Sequence, residues 1–312
     1  SEVVNQNLFF ETDPKTALAD SEVIFITVGT PAGDSGLDIS NVKAVAETIM
    51  TSSPLHSQKI VVIRSTVPPG TNKEIRRRMR TRGCEHAVVT CPEFLSESKA
   101  ISDAKIPSRI VLGTIDLWSI PTLKKLFEPF QRNNEVPLIV VTPESAELGK
   151  SAANHLLALR ISAMNELAEI TAKIPGANIE DIRRVVGSDP RIGNRFLYPG
   201  CGYGGSCFSK DLSGLIALAE SLDLDPLIMK AAREVNEKQK RVLFRILTDH
   251  FGKESIAGKK VAVWGLAFKE DTDDTRKSPG MFLVRQLAAA GVKVNAYDRH
   301  ALATAAIELS DL

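Results

Sequence analysis

One short segment of the chain concentrates residues that could carry out covalent chemistry. In GYGGSCFSKD, residues 202–211, Cys207 follows a glycine-rich turn and precedes Asp211 by four positions. Ser209 is a good N-cap residue, and the N-terminus of a helix starting there would stabilise a thiolate. On one helical turn the thiol and the carboxylate would face the same side, which suits formation and hydrolysis of a covalent intermediate. Spacing alone leaves open that Cys207 is a buried residue beside a packing turn.

Two further pairs of polar residues could contribute to a site. Lys150 and Asn154 are four positions apart and therefore share a helix face. They could be exposed polar residues, but their apolar neighbours indicate a largely buried helix, in which polar groups require partners. Glu93 and Glu97 follow the apolar run 86–90, at the carboxyl edge where α/β folds bind ligands.

Length and charge exclude several classes of protein. With 312 residues the chain favours two or more domains. Its formal net charge of +1 gives no reason to expect a nucleic-acid partner, and the basic run at 76–82 has the spacing of a solvated helix face. A membrane span would need about 18 apolar residues in a row, and neither such a stretch nor a leader is present, which predicts a cytoplasmic protein.

The cysteines do not predict a disulfide framework or a metal site. Cys84, Cys91, Cys201 and Cys207 lack the paired CxxC spacing of zinc ligands. Cys84 and Cys91 flank the apolar run 86–90 and are interpreted as small buried hydrophobes. No metal is therefore expected.

The secondary-structure pattern predicts an α/β protein with a Rossmann-like, doubly wound first domain. Val/Ile-rich runs typical of strands buried on both faces alternate with amphipathic helices. The predicted strands are 22–28, 59–65, 86–90, 108–114 and 137–141, and the predicted helices are 40–51, 71–82 and 117–130.

The rest of the chain predicts a helical middle domain and a second α/β domain. The predicted helices are 144–172, 178–186, 210–222 and 226–251, followed by strand 259–268, helix 279–290 and strand 292–298, which ends on an acidic residue. The expected domains are an α/β domain at 1–142, a central helical domain at 143–255 and a second α/β domain at 256–312. We expect the first βαβ unit to be missing and the last domain to be C-terminally truncated, because GxGxxG does not occur and little chain follows 298.

Five segments together resemble the UDP-glucose 6-dehydrogenases, within the UDP-glucose/GDP-mannose dehydrogenase family. They run in order from about residue 8 to 298 and include RSTVPPGT, CPEFLSESKAISDAKIPSRIVLG, ELGKSAANHLLALRISAMNELAEI, RIGNRFLYPGCGYGGSCFSKD and GLAFKEDTDDTRKSP. The resemblance implies oxidation of the C6 alcohol of UDP-glucose to a carboxylate in two NAD-dependent steps. It also implies that the domain at 1–142 binds NAD, that the central domain at 143–255 forms a dimer and that the domain at 256–312 binds UDP.

The resemblance also implies roles for individual residues. Cys207 matches the nucleophile that forms a thiohemiacetal and a thioester, and Lys150 and Asn154 match residues that stabilise the oxyanion. Asp211 and Thr66 match residues that hold water or assist proton transfer, and Glu93 matches a general base for hydrolysis.

Binding positions carry over in the same way. The NAD positions are Val28, Thr30, Thr66, Glu97 (beside the nicotinamide) and Arg276. The UDP-sugar positions, besides Lys150 and Asn154, are Phe94, Leu95, Ser96, Arg191, Phe196, Tyr198, Tyr203, Gly204 and Lys269. Arg191 matches an arginine supplied by a second subunit, so the resemblance implies a homodimer.

Departures from the family pattern keep two alternatives open. Ser209 and Cys201 stand where prolines are common, and the glycine-rich pyrophosphate loop is absent from the sequence. A helix N-terminus supplies much of the phosphate affinity in dinucleotide folds, so NAD binding could be weak. The alternatives are a dehydrogenase of another nucleotide sugar, such as GDP-mannose or a UDP-N-acetylhexosamine, and an inactive UDP-sugar-binding fragment.

Overall fold

The computed structural model describes residues 7–33, 36–54, 56–131, 136–252 and 255–310. The chain divides into two compact units, residues 1–151 and 152–312. The predicted division into three domains stays a prediction. In the described part of the chain, no helix combines the length and apolar character that crossing a membrane requires.

The first unit contains a five-stranded sheet at the positions where the sequence predicts strands. Its strands are β1 (Val23–Ile26), β4 (Ile60–Ile63), β5 (Ala87–Thr90), β6 (Ile110–Gly113) and β7 (Leu138–Val141), in the order β1-β4-β5-β6-β7. Two short strands of two residues each, β2 (Ala32–Gly33) and β3 (Gly36–Leu37), pair with each other outside this sheet. Every residue of β4 and β5 is buried, whereas the edge strands β1 and β7 are partly exposed. Burial of every residue is therefore confirmed only for β4 and β5, since the inner strand β6 has one half-buried residue, Val111.

One pair of neighbouring strands departs from the parallel pattern. β1, β4 and β5 are parallel, as are β6 and β7, but β5 and β6 pair antiparallel through Thr90 and Gly113. A parallel return requires a crossover helix packed on the sheet. The short helix α4 (Ala100–Lys105) between these strands buries none of its residues and does not provide that crossover.

Helices cover the sheet and bury its two faces in separate cores. The helices are α1 (Pro14–Ala19), α2 (Ser40–Ser52), α3 (Thr71–Thr81) and α5 (Ile120–Phe127), the last flanked by two 3₁₀ turns. α2 and α3 pack with Val61, Ile63 and Val88, and α5 packs with the opposite-facing Val62 and Val89. The doubly wound α/β class is confirmed by this arrangement.

Four arginines of the basic run at 76–82 pair with two carboxylates of the first unit. Arg76 and Arg80 contact the buried carboxylate of Asp116, whereas Arg78 and Arg82 contact Glu47. These pairs account for the run as a helix surface.

The second unit is helical at first. α6 (Pro143–Thr171) extends from the first unit into the second, and it is followed by α7 (Ile179–Gly187), α8 (Cys207–Ser221), α9 (Leu227–Gln239) and α10 (Val242–Phe251). The prediction of one helix over 226–251 is wrong, because the chain turns at Lys240 and Arg241. No glycine or proline marks this break in the sequence. At the break, the buried Lys240 side chain lies beside Gly202 and pairs with Glu237.

The predicted start of the helix after the glycine-rich turn is also wrong. α8 begins at Cys207, with Ser206 as its N-cap residue, and Ser209 lies inside the helix. Gly205 has a positive φ of 76°, so the turn ends there and helical geometry starts two residues later.

The second unit ends in a βαβ segment. β8 (Lys260–Trp264) and β9 (Lys293–Tyr297) pair in parallel, with α11 (Pro279–Ala289) between them and α12 (Leu302–Glu308) after them. Leu266, Leu287 and Val292 belong to the core of this segment.

Asp298 directly follows β9, and its carboxylate bonds to the chain after β8 as well as to the chain after β9. Its Oδ2 accepts hydrogen bonds from the amides of Leu266 (2.7 Å) and Ala267 (3.0 Å), and its Oδ1 accepts from His300 and Ala301 (both 2.8 Å). Desolvation opposes ionisation of this carboxyl, but the four amide donors outweigh it and hold the pKa of Asp298 well below its usual range. The structure therefore gives Asp298 a structural role.

Asp298→Asn should lower the free energy of unfolding by about 2–4 kcal/mol at pH 7, because the amide loses the charge and places its own N–H groups against amide donors. The folded-state pKa is depressed, so this contribution is present above the unfolded pKa and is lost as the pH falls. The difference in the free energy of unfolding between wild type and variant should become smaller below about pH 4. Urea unfolding at several pH values measures it. The exposed Asp249→Asn is the matched control, and an equal loss in both variants contradicts the assignment.

Candidate active site

Lys150 and Glu93 form the central polar pair of the first unit. Lys150 lies on α6 and is 4% exposed, and its Nζ is 3.0 Å from Oε1 of Glu93. Glu93 follows the buried strand β5, at its carboxyl end, and its other oxygen accepts the Leu95 amide. The Glu93 side chain is 28% exposed but Lys150 is buried, so removing the carboxylate would leave the lysine as an uncompensated buried charge. The predicted partner for the buried lysine is therefore present.

The ring of Phe94 brings two cations to the same segment. Nζ of Lys150 is 5.3 Å from the ring centroid, and the guanidinium of Arg109 stacks on the ring at 3.5 Å. Arg109 stands in the segment SRIVLG, but sequence analysis did not single it out. Its position before an apolar strand carries no sign of a stacking partner.

Two predicted NAD positions meet at the carboxyl ends of neighbouring parallel strands. The hydroxyl of Thr30, after β1, donates to the carbonyl of Thr66, after β4, at 2.8 Å. The hydroxyl of Ser65 donates to the Val28 carbonyl at 2.6 Å. Doubly wound sheets bind dinucleotides at this edge, so Val28, Thr30 and Thr66 fit residues that would hold NAD.

The remaining residues of the segment after Phe94 lie in a loop. Leu95 and Glu97 are half-buried, and Ser96 is exposed. The Ser96 amide donates to Oδ2 of Asp103 at 2.8 Å, which fixes the loop against α4.

Asn154 and Asp211 form the central polar pair of the second unit. Nδ2 of Asn154, on α6, donates to Oδ2 of Asp211, on α8, at 2.6 Å. Asp211 is 1% exposed, and its other oxygen is 2.7 Å from Nζ of Lys210. Cys207 begins the same helix four residues earlier, and its side chain is exposed. The predicted sharing of one helix by the thiol and the carboxylate is therefore correct, and Lys210 is a residue that sequence analysis missed.

The glycine-rich turn before Cys207 is held from one side by Asn236. Its side-chain oxygen accepts the Tyr203 amide at 2.8 Å, and its Nδ2 donates to the Tyr203 carbonyl at 3.1 Å. Tyr203 is buried, and desolvation raises the pKa of its phenol to about 12. The ring stacks edge-to-face with Phe208, which in turn lies edge-to-face with Phe196. Asn236 was missed because nothing in its helix distinguishes it from an exposed polar residue.

The opposite side of the turn packs on the loop after β8. The Gly205 amide donates to the Arg276 carbonyl at 2.8 Å, and Gly204 faces Phe268 and the Lys277 carbonyl. Lys269 follows Phe268, with its Nζ 5.5 Å from that ring centroid. Two segments that are distant in sequence, GYGGSCF and GLAFKEDTDDTR, are thus brought together. The Arg276 side chain pairs with Asp274 at 2.7 Å.

Arg191 and Tyr198 lie on exposed parts of the second unit. The Arg191 guanidinium is paired with Asp189, and its side chain is 88% exposed. Tyr198 is also exposed, with the Arg183 guanidinium 4.6 Å from its ring centroid. Their contacts in the described part of the chain are with Asp189 and Arg183, and not with the Asn154–Asp211 pair.

The expected burial of two further cysteines is confirmed. Cys84 and Cys91 are buried, and burial raises the pKa of both thiols. Cys201 is half-buried. Among the residues that the structure describes, no group of three or more His, Cys, Asp or Glu side chains is arranged to hold a metal ion.

Comparison with known families accounts for this combination of strands, helices and polar pairs. In chain order, residues 1–131, 144–238 and 262–311 match the NAD binding domain, the central domain and the UDP binding domain of the UDP-glucose/GDP-mannose dehydrogenase family. The chain belongs to this family of nucleotide-sugar dehydrogenases, as its signature segments indicate.

Individual relatives agree with this assignment. The chain is 44% identical to a UDP-glucose 6-dehydrogenase of Pseudomonas aeruginosa over 93% of its own length and 65% of that protein. It is 41% identical to a UDP-glucose 6-dehydrogenase of Rhizobium meliloti, of which it covers 68%. Among solved structures, a UDP-glucose dehydrogenase from Pyrobaculum islandicum matches with a TM-score of 0.88 and 35% identity, over 97% of this chain and 69% of that one. The chain thus spans about two thirds of the length of these relatives.

Gly204→Ala should destabilise the protein by about 1–3 kcal/mol through overpacking. An added Cβ would lie 2.7 Å from the Lys277 carbonyl oxygen and 2.8 Å from Cβ of Phe268, which forces the two segments apart. Thermal unfolding measures the loss, and limited proteolysis of the turn reports the separation. Gly200→Ala is the matched control, since a Cβ there meets no atom within 4 Å. Similar melting temperatures for both variants would mean that the turn does not depend on this contact.

Proposed function

We propose that this protein is an NAD-dependent UDP-glucose 6-dehydrogenase, which oxidises UDP-glucose to UDP-glucuronate in two steps. The observation that carries the proposal concerns α8, which begins at Cys207 and contains the buried Asp211. Asp211 is paired with Asn154 of α6. A buried carboxylate and an exposed thiol on one helix supply the groups that thioester chemistry needs. Family membership identifies the reaction to which they belong.

Cys207 acts as the nucleophile of the second oxidation. Its sulfur adds to the C6 aldehyde formed in the first oxidation, the carbonyl oxygen takes up a proton, and a thiohemiacetal results. Loss of two electrons and a proton from C6, with loss of the hydroxyl proton, gives a thioester. Water then replaces sulfur at C6, which releases the carboxylate and the thiol. Bound NAD would accept the electron pair of each oxidation.

The polar residues assist the carbonyl chemistry. Lys150 and Asn154 donate to the oxygen on which negative charge develops, and both are already held in place by carboxylate partners. Preorganised donors of this kind lower the barrier because they need no reorganisation during the reaction. Asp211, with Thr66, orients the water or assists proton transfer, and Glu93 acts as general base in thioester hydrolysis.

The nucleotide and sugar positions follow the family match. Val28, Thr30, Thr66, Glu97 and Arg276 would hold NAD. Phe94, Leu95 and Ser96 would bind the UDP-sugar through their backbone, with Phe196, Tyr198, Tyr203, Gly204 and Lys269. The exposed Arg191 would reach the site of a second subunit, which makes the active protein a homodimer through the central helix.

Sequence similarity favours UDP-glucose among nucleotide sugars. Among the solved structures, the UDP-glucose dehydrogenase of Pyrobaculum islandicum is 35% identical to this chain, whereas a UDP-D-ManNAc dehydrogenase of Pyrococcus horikoshii is 26% identical. A difference of this size supports the same sugar pocket as in the former enzyme.

The proposal is tested by the ratio of NADH formed to UDP-glucose consumed, with NAD in excess. Two NADH per sugar are expected, since the alcohol and the aldehyde are each oxidised once. GDP-mannose and UDP-N-acetylglucosamine serve as controls and should give little NADH. If UDP-glucose binds without any NADH being formed, the protein is an inactive binding module, and preference for a control sugar would reassign the substrate.

Cys207→Ser should lower kcat for formation of the acid by about 100-fold or more, because serine is a weaker nucleophile at neutral pH and any ester it forms turns over slowly. Rapid-quench analysis of sugar products, with NADH recorded in parallel, measures the effect. Cys201→Ser, in the same loop, should keep wild-type activity. Undiminished conversion to the acid by Cys207→Ser would refute the role of the thiol.

A further inference from the structure

Glu147 occupies an unusual place at the beginning of α3. Its carboxylate projects from α6 and is 1% exposed. Oε2 accepts the Gly70 amide at 2.6 Å, and Oε1 accepts the Asn72 amide at 2.7 Å. Gly70 is the N-cap residue of α3 and has no side chain with which to satisfy these amides. Glu147 therefore caps a helix from a different element.

The side chain of Asn72 extends the contacts into the sheet. Its Nδ2 donates to the Val88 carbonyl and to the Thr90 hydroxyl, both at 3.1 Å. The Thr90 hydroxyl also lies close enough to the Glu147 carboxyl to favour its charged form, which lowers its pKa. Asn72 and Thr90 are each 1% exposed, so α6, α3 and β5 are joined by buried polar groups that have no access to solvent.

The chain then returns to α6. Three residues after Thr90, Glu93 pairs with Lys150, which lies one helical turn beyond Glu147. Glu147, Asn72, Thr90, Glu93 and Lys150 thus form a closed circuit, here called the Glu147 ring. Two of its members are residues to which we assign catalytic roles.

The Glu147 ring also fixes the loop that carries Thr66. Between Thr66 and the anchored Gly70 lie Val67, which is buried, and two prolines, whose φ angles are fixed by their rings. A shift of the Gly70 amide is therefore transmitted to Thr66 with little local relaxation.

We infer that Glu147 is a positioning residue of the dehydrogenase: through the Glu147 ring it sets Lys150, Glu93 and the Thr66 loop relative to one another. The inference rests on the proposed function for its catalytic consequence. Desolvation raises the pKa of this carboxyl to about 7, and the amides of Asn72 and Gly70 offset only part of that cost. A carboxylate suits the place because two N–H donors require two acceptor oxygens, and glutamine offers only one.

The test is Glu147→Gln in the protein assayed with UDP-glucose and NAD. We expect kcat per titrated Cys207 thiol to fall about 10- to 100-fold, because small displacements of catalytic groups are costly. KM for UDP-glucose should stay within about threefold, since the Glu147 ring holds groups that act on the developing charge. Glu147→Asp, which keeps both acceptor oxygens, should recover part of kcat. Glu144→Gln, an exposed position on the same helix, should behave as wild type.

Two further measurements keep the inference testable. Hydrogen exchange in the peptide 66–72 should be faster in Glu147→Gln than in Glu144→Gln. If Glu147→Gln does not fold, Thr90→Val is tested in its place. Valine retains the shape and strand preference of Thr90 but removes the hydroxyl from the Glu147 ring. This variant should also lower kcat, by a smaller factor than Glu147→Gln.

The outcomes separate this inference from the proposed function. Equal kcat per titrated site in Glu147→Gln and Glu144→Gln would overturn the positioning role, as would a loss confined to KM. A wild-type protein that forms no NADH from UDP-glucose would refute the proposed function instead. In that case faster exchange in Glu147→Gln would still support the anchoring of the Thr66 loop, and unchanged exchange would overturn it.

Discussion

Charged and amide side chains taken out of water must find partners, and this requirement organises the polar part of both units. Lys150 is matched by Glu93, Asn154 by Asp211, and Glu147 by two backbone amides. An isolated charge at any of these depths would be far more costly than a paired one. Within each unit, these contacts hold the element that supplies the partner against α6. The same contacts therefore contribute to stability and determine where the reactive groups lie.

The sheet and its helices were largely predictable because their signals are local. Unbroken Val/Ile runs at β4 and β5 indicate strands, and the apolar spacing of α3 indicates a helix, without knowledge of the rest of the chain. Where tertiary contacts decide, prediction from sequence was wrong. The break at Lys240 has no glycine or proline to signal it, and the antiparallel β5–β6 pair follows a short α4 that buries none of its residues.

The residues of the candidate site also fall into those that local sequence signals reveal and those that only tertiary contacts reveal. Cys207, Asp211, Lys150 and Asn154 were found because helical spacing and a glycine-rich turn mark them, and their family roles remain proposals. Asn236, Arg109 and Glu147 were missed, because what distinguishes them is a backbone amide or an aromatic face supplied by a remote segment. A sequence records which residues are present in a helix, but not which distant N–H groups they will meet.

The geometry of α6 has a consequence for the way in which the gene can vary. Glu147, Lys150 and Asn154 are spaced at three and four residues along one continuous helix, and each has its own fixed partner. A single codon inserted or deleted between them would rotate every later side chain by about 100° around the helix axis. All partners on one side of the change would be lost together, whereas a point substitution removes only one. Purifying selection on this segment should therefore act more strongly on its length than on the identity of any exposed residue within it.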